Sequence, residues 1–147
     1  MIEDDFINPL HSDVFRMLCG DHIGSGAGRH VYECAYDPSV VVKIETEAGS
    51  FQNITEWNLW RDAEFIPHAA AWLAPCIKIS PCGIVLIQKK TTTPKKYPDK
   101  VPAWLTDTKR TNYGMIGKRF VCHDYGVNLM CNSGLSKRLR KVEWWDY

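Results

Sequence analysis

Short apolar runs separated by turn residues predict a series of β-strands in the first part of the chain. The β-branched run Val40–Glu45 is the best strand candidate, and residues 31–36 predict the strand before it. A glycine-rich turn at residues 23–28 precedes both strands. Residues 76–80 and 84–88 predict a hairpin, with a Pro-Cys-Gly turn between them. Short connections of this kind favour antiparallel pairing.

Helical spacing predicts one longer helix between these strand groups, at about residues 50–64. One stripe of this helix carries Gln52, Glu56, Leu59, Trp60 and Ala63. Pro67 is expected to end the helical segment. A shorter helix is expected at residues 12–18, with Ser12 as its N-cap and Gly20 as its stop.

The composition changes at Lys89, after which residues 89–100 are rich in lysine, threonine and proline and form a predicted linker or exposed loop. This change divides the chain into two predicted units, residues 1–90 and 91–147. Two short strands are expected at residues 113–116 and 119–122, joined by a Gly-Lys turn.

The length of 147 residues fits one domain, and the 45% hydrophobic content is enough for a core. The formal net charge of +1 argues against nucleic-acid binding, so the basic stretch at residues 137–141 is predicted to be a solvated face. The sequence has no apolar run of membrane-spanning length, and its first five residues are acidic where a secretory signal would be basic. A cytoplasmic protein with free thiols and no membrane association is therefore expected.

The glycine turn and one lysine are the first candidates for chemistry. Glycines let the backbone approach phosphates closely, although such a turn alone is equally typical of an ordinary hairpin. Lys43 lies on an otherwise apolar strand, where its ammonium needs an anionic partner or an exit to water. Glu56, on the inward stripe of the predicted helix, is the preferred partner, and Glu47 is the second candidate.

A second set of polar residues follows in the second half of the chain. Asp107, Lys109 and Asn112 precede an Asp124-Tyr125-Gly126 sequence. Phosphoryl transfer needs a carboxylate near the attacking hydroxyl, a cation near the transferred phosphate, and oxygen ligands for magnesium. Each residue is ordinary alone, but together and in this order they indicate phosphoryl transfer.

With these motifs the chain resembles the eukaryotic-type protein kinase superfamily over about residues 20–130. The segment from Ile23 to Val31 is similar to the glycine-loop pattern G-x-G-x-x-G-x-V, and Val42-Lys43 is similar to the end of V-A-I-K. Glu56 resembles the helix C glutamate. Residues 105–112 resemble H-R-D-L-K-x-x-N, and residues 124–126 resemble D-F-G.

The resemblance implies an α+β fold: a kinase-like N-lobe of five antiparallel strands plus helix C, a catalytic loop and a vestigial C-lobe. It also implies ATP and Mg²⁺ as ligands. The implied catalytic residues are Asp107, Lys109, Lys43 and Glu56, and the implied magnesium ligands are Asn112 and Asp124. The implied nucleotide-binding residues are Gly24, Ser25, Gly26, Ala27, Gly28, Val31 and Lys43.

The sequence also departs from the kinase pattern. Leu105 and Thr106 replace the His-Arg pair before Asp107, and Arg29 stands where the third glycine is expected. The helical lobe that recognises peptides is expected to be nearly absent. An apolar surface near Trp104, buried by a dimer or a partner protein, is therefore predicted, unless the tail folds back to cover it.

Two functions remain open at this point. One is a minimal kinase that transfers the γ-phosphate of ATP to a serine or threonine hydroxyl of a protein. The other is a pseudokinase that performs no chemistry and binds a host or partner protein, an alternative favoured by the short chain and its six tryptophans.

Overall fold

The computed structural model describes residues 9–26, 28–46, 49–126 and 134–147, and its architecture is α+β. The largest element is a five-stranded antiparallel sheet with the strand order β1-β2-β3-β5-β4. Its strands are β1 (Cys19–Gly26), β2 (Arg29–Cys34), β3 (Val40–Glu45), β4 (Cys76–Ile79) and β5 (Val85–Lys89). The predicted five-stranded antiparallel sheet is therefore confirmed.

The described helices are few and most are short: α1 (Pro9–Leu18), α2 (Gln52–Ala63), α3 (Pro67–Ala70) and a 3₁₀ turn (Arg110–Asn112). The second half of the chain adds two small antiparallel pairs. Strand β6 (Lys100–Pro102) pairs with β9 (Leu139–Lys141), and β7 (Tyr113–Ile116) pairs with β8 (Arg119–Cys122). No described helix is long and apolar enough to cross a membrane.

The alternation of side chains divides the residues of the main sheet between two faces. Val31 of β2 lies opposite Lys43 of β3, so Arg29, Val31 and Lys43 share one face, which lines a cleft. The other face buries Val40 and Val42 in a small cluster with residues of β1 and β2. The strand periodicity therefore places a lysine and an arginine together on the face that lines the cleft.

The main core lies between this sheet and the second half of the chain. Its buried members come from both sides of residue 90 and include Leu59, Leu73, Leu86, Val101, Trp104, Leu105, Tyr113, Cys122 and Tyr125. The indole of Trp104 is fully buried, and its N–H donates to the Ser136 carbonyl at 3.2 Å. Trp144 packs beside Tyr113 and Phe120. The prediction of an exposed apolar surface at Trp104 is therefore wrong. The tail, residues 134–147, folds back and covers this region.

The predicted element bounds are close to those of the structure. Strands β3, β7 and β8 have the predicted bounds, and α2 lies within the predicted residues 50–64. Three details were wrong. Residues 23–26, predicted to belong to a glycine turn, form the end of β1. Helix α1 begins before Ser12 and ends at Leu18, where β1 follows directly. Pro67 begins the short helix α3, because the first turn of a helix tolerates a residue without an N–H.

Candidate functional site

Nine of the predicted site residues line one cleft of about 710 Å³ between the main sheet and the second half of the chain. They are Gly24, Ser25, Gly26, Val31, Lys43, Asp107, Lys109, Asn112 and Asp124. These residues are far apart in the sequence, and they meet because the main core joins the two halves. The volume is in the range of small-molecule binding sites.

The glycines of the β1–β2 hairpin differ in what surrounds them. Gly28 has a φ of 80°, which favours glycine, and a Cβ there would lie 3.1 Å from Cβ of Ser50. Gly24 and Gly26 have no positive φ in the structure, and no described atom outside their chain neighbours lies within 4 Å of a Cβ built there. Gly28 thus serves the turn, whereas the fold does not require glycine at positions 24 and 26. Ala27 lies outside the described residues.

Lys43, which lines the cleft, forms an ion pair with the buried Glu56. The Lys43 Nζ lies 2.5 Å from the Glu56 Oε1, and both side chains are at most 4% exposed. The Lys43 ammonium also donates to the His123 carbonyl. Glu56 accepts further hydrogen bonds from the Tyr125 N–H at 2.8 Å and from the Gln88 amide at 3.3 Å. The preferred partner of Lys43 therefore contacts it, and Glu47, the second candidate, lies outside the described residues.

Backbone hydrogen bonds hold the Asp107–Asn112 segment against Asp124. The Asn112 carbonyl accepts from the N–H groups of His123 at 2.8 Å and Asp124 at 3.2 Å. The Asp107 carboxylate accepts a hydrogen bond from the Lys109 N–H at 3.3 Å. The backbone carbonyl of Asp107 accepts another from the Tyr113 hydroxyl at 2.9 Å. This arrangement holds the backbone of Asp107, Lys109 and Asn112 along one wall of the cleft.

Three buried polar residues at this site were not predicted: Arg29, Asn53 and Gln88. Arg29 was noted only because it departs from a glycine pattern, yet its guanidinium lies 2.9 Å from Glu56 and 2.7 Å from Asp124. Asn53 donates to the Lys43 carbonyl and accepts from Arg29. The two-residue period of β2 carries the signal, since it places Arg29 on the same face as Val31.

The segment at residues 143–146 also reaches the cleft and contacts the wall that carries Lys109. The Arg110 N–H donates to the Trp145 carbonyl at 2.8 Å, and the Arg110 guanidinium lies 2.9 Å from the Asp146 carboxylate. The Lys109 ammonium lies 5.6 Å from the centre of the Trp145 ring, within cation–π distance. The tail therefore supports the wall as well as covering the core.

Arg29, Lys43, Glu56 and Asp124 form a charged cluster beside the cleft, and burial together with these charges shifts the pKa values of Glu56, Arg29 and His123. Burial opposes ionisation of Glu56, but Lys43 and Arg29 outweigh it and lower its pKa from 4.5 to about 2. Burial disfavours the charged form of Arg29, but Glu56 and Asp124 outweigh it and raise its pKa above the ordinary value. Burial, followed by the charge of Lys43, lowers the pKa of His123. Glu56 is therefore ionised and Arg29 is positively charged at neutral pH.

The cleft offers magnesium an incomplete set of oxygen ligands. No group of three or more His, Cys, Asp or Glu residues suited to a metal occurs in the described part of the chain. Asn112 and Asp124 nevertheless lie on the same wall, and Asp124 remains 41% exposed. Because Mg²⁺ in nucleotide sites uses one or two carboxylates together with substrate phosphates and waters, these two residues fit a nucleotide-bound ion.

Comparisons with known proteins do not assign the chain to a family. No protein-family model matches the sequence, and no curated protein matches it. The geometry of the cleft is thus the basis for the function proposed below.

Proposed function

We propose that the chain is a minimal kinase-like phosphotransferase that binds ATP with Mg²⁺ in this cleft and transfers the γ-phosphate to a serine or threonine hydroxyl of a protein. The observation that carries the proposal is the meeting of the nine predicted residues in one cleft, where Lys43 pairs with the buried Glu56. An electrostatic site of this composition suits phosphoryl transfer, which depends mainly on positioning and charge stabilisation.

Each residue has a role in this proposal. Lys43, oriented by Glu56, faces the α- and β-phosphates, while Gly24 and Gly26 leave room for them. Asn112 and Asp124 hold the magnesium ion, which when bound supplies positive charge to the phosphates. Lys109 neutralises charge on the γ-phosphate. Asp107 orients the acceptor hydroxyl and takes its proton while the new O–P bond forms and the bond to the β–γ bridging oxygen breaks.

One observation favours the second candidate, a pseudokinase that binds a host or partner protein. The Asp124 carboxylate, proposed as a magnesium ligand, already pairs with Arg29 at 2.7 Å. If that pair excluded the ion, the cleft would bind nucleotide without transferring phosphate. Transfer of labelled phosphate from ATP to protein therefore separates the two candidates.

Nucleotide binding is the first test of either candidate. Because a ligand that binds only the folded state stabilises it, ATP with Mg²⁺ at about 100 times its dissociation constant should add about 2.7 kcal/mol to the free energy of unfolding. The melting temperature with and without nucleotide measures this effect. An unchanged melting temperature at millimolar ATP and Mg²⁺ would contradict nucleotide binding and the proposed function.

Glycine replacements should separate binding from folding. We expect Gly24→Ala and Gly26→Ala to leave the melting temperature of the free chain within a few degrees of its original value, because each new Cβ meets open space. We expect the same changes to weaken nucleotide binding at least about tenfold, or about 1.4 kcal/mol, because the methyl group enters the phosphate space. Isothermal titration with ATP and Mg²⁺ measures the affinity.

Gly126→Ala is the matched control for these two variants. A Cβ at position 126 would lie 2.7 Å from the backbone oxygen of Gln52, so this variant should destabilise the free chain by about 1–3 kcal/mol. If Gly24→Ala were as destabilising as Gly126→Ala, the glycines of the hairpin would serve the fold and not a ligand.

A further inference from the structure

Arg29 lies at the centre of the candidate site, although its position in the glycine pattern gives it no assigned role. Its side chain is only 4% exposed. One guanidinium nitrogen, Nη2, donates to the Glu56 Oε2 at 2.9 Å and to the Asp124 Oδ1 at 2.7 Å. The other, Nη1, donates to the Asn53 Oδ1 at 3.0 Å. The guanidinium is therefore fixed on both sides, by α2 and by the residues that follow β8.

The charges of this cluster balance without a metal ion. Lys43 and Arg29 supply two positive charges, and Glu56 and Asp124 supply two negative charges within hydrogen-bond distance of them. A buried arginine stays charged at every accessible pH. Arg29 therefore supplies a permanent positive charge beside the carboxylate that is proposed to hold magnesium.

This contact limits what Asp124 can still bind. The Oδ1 of Asp124 is taken up by Arg29, while the side chain as a whole remains 41% exposed and lines the cleft. The remaining lone pairs of the Asp124 carboxylate can coordinate one metal ion. A second divalent ion bound to the Asp124 carboxylate would lie close to the Arg29 guanidinium. Two positive charges this close repel each other strongly in a partly buried site.

We propose that Arg29 is a positioning residue that takes the place of a second divalent cation, so that the cleft binds ATP with a single Mg²⁺. Phosphoryl-transfer sites can hold two such ions between a carboxylate and a carboxamide. In this chain the guanidinium holds Asp124 towards the cleft and supplies the second charge itself. The inference rests on the proposed function, since it concerns the metal bound with the nucleotide.

The test counts metal ions directly and does not use activity. Mn²⁺, which electron paramagnetic resonance detects, is titrated into the full chain saturated with a non-hydrolysable ATP analogue. We expect one bound Mn²⁺ per nucleotide in the original chain. We expect two in Arg29→Gln, because the glutamine frees the Asp124 oxygen and leaves a net negative charge in the cluster. Arg29→Lys, which keeps the charge, should again bind one.

Two Mn²⁺ ions in the original chain would overturn the inference while leaving nucleotide binding intact, and so would a single ion in a folded Arg29→Gln variant. Should Arg29→Gln fail to fold, the count in the original chain still decides between one ion and two. A chain that binds no ATP analogue would overturn the proposed function, and this inference with it.

Discussion

Replacing Asp107 with asparagine should reduce phosphate transfer by about 10²- to 10⁴-fold, the usual contribution of a positioned general base. Asparagine has nearly the same shape as aspartate but cannot accept the hydroxyl proton. The Tyr113 hydroxyl donates to the backbone carbonyl of residue 107, so this hydrogen bond survives the replacement. The rate of transfer from γ-labelled ATP to a library of Ser/Thr peptides measures the effect.

Asp62→Asn is the matched control, because it makes the same chemical change at an exposed position of α2, outside the cleft. We expect this control to transfer phosphate at the original rate, and both variants to keep the original melting temperature. Equal transfer rates in Asp107→Asn and the original chain would show that Asp107 is not the catalytic base. If the original chain bound ATP but transferred no phosphate, the pseudokinase would be the better description.

Local sequence patterns predicted much of the main sheet. The run Val40–Glu45 forms β3 because its β-branched residues suit a strand that is paired on both sides, with β2 and with β5. The start of α1 and the role of Pro67 were missed for a physical reason. Both helices begin with a proline, Pro9 and Pro67, and the first turn of a helix tolerates a residue without an N–H.

The tail could not be predicted in the same way. Val101 of β6 lies opposite Arg140 of β9, and the hydroxyl of Thr108 donates to the Glu143 carbonyl at 3.0 Å. Contacts between residues this far apart leave no periodic signal in either segment. The expectation of an uncovered surface at Trp104 was wrong, and the stated alternative, a tail that folds back, is what the structure shows. The tail contributes the short strand β9 and extended segments that pack against the core.

For the site, residue type and order predicted that Lys43 pairs with Glu56, and the structure has this pair. They also predicted Asp124 as a site residue, and its carboxylate pairs with Arg29. Arg29 was missed because the glycine pattern predicts a glycine at its position and assigns no role to another side chain there. Its role depends on the two-residue period of β2, which places Arg29 on the face of Val31, and on the register in which Val31 lies opposite Lys43. The order of residues in the sequence thus predicted Lys43, Glu56 and Asp124 as site residues, and the pairing of β2 with β3 adds Arg29 to them.

Replacing Glu56 with glutamine should be the most destabilising conservative change in the site, at about 3–5 kcal/mol. Glu56 is fully buried, and its carboxylate pairs with both Lys43 and Arg29, so glutamine would leave two buried cations without their shared counter-charge. Denaturant unfolding at pH 7, followed by circular dichroism, measures the difference in the free energy of unfolding between the variant and the original chain.

Glu33→Gln is the matched control for this loss, and pH provides an independent check. Glu33 lies 2.5 Å from Lys90, the same distance as in the Glu56 pair, but its side chain is 43% exposed, so the loss should be at most about 1 kcal/mol. The pKa of Glu56 is lowered from 4.5 to about 2, so its ionised form stabilises the fold fully above pH 4.5. As the pH falls from 4.5 towards 2, the advantage of the original chain over Glu56→Gln should shrink by about 1.4 kcal/mol per pH unit, because the unfolded chain takes up a proton that folded Glu56 does not. A stability difference that stays constant down to pH 3, or equal losses in the two variants, would show that the buried carboxylate is not the centre of the cluster.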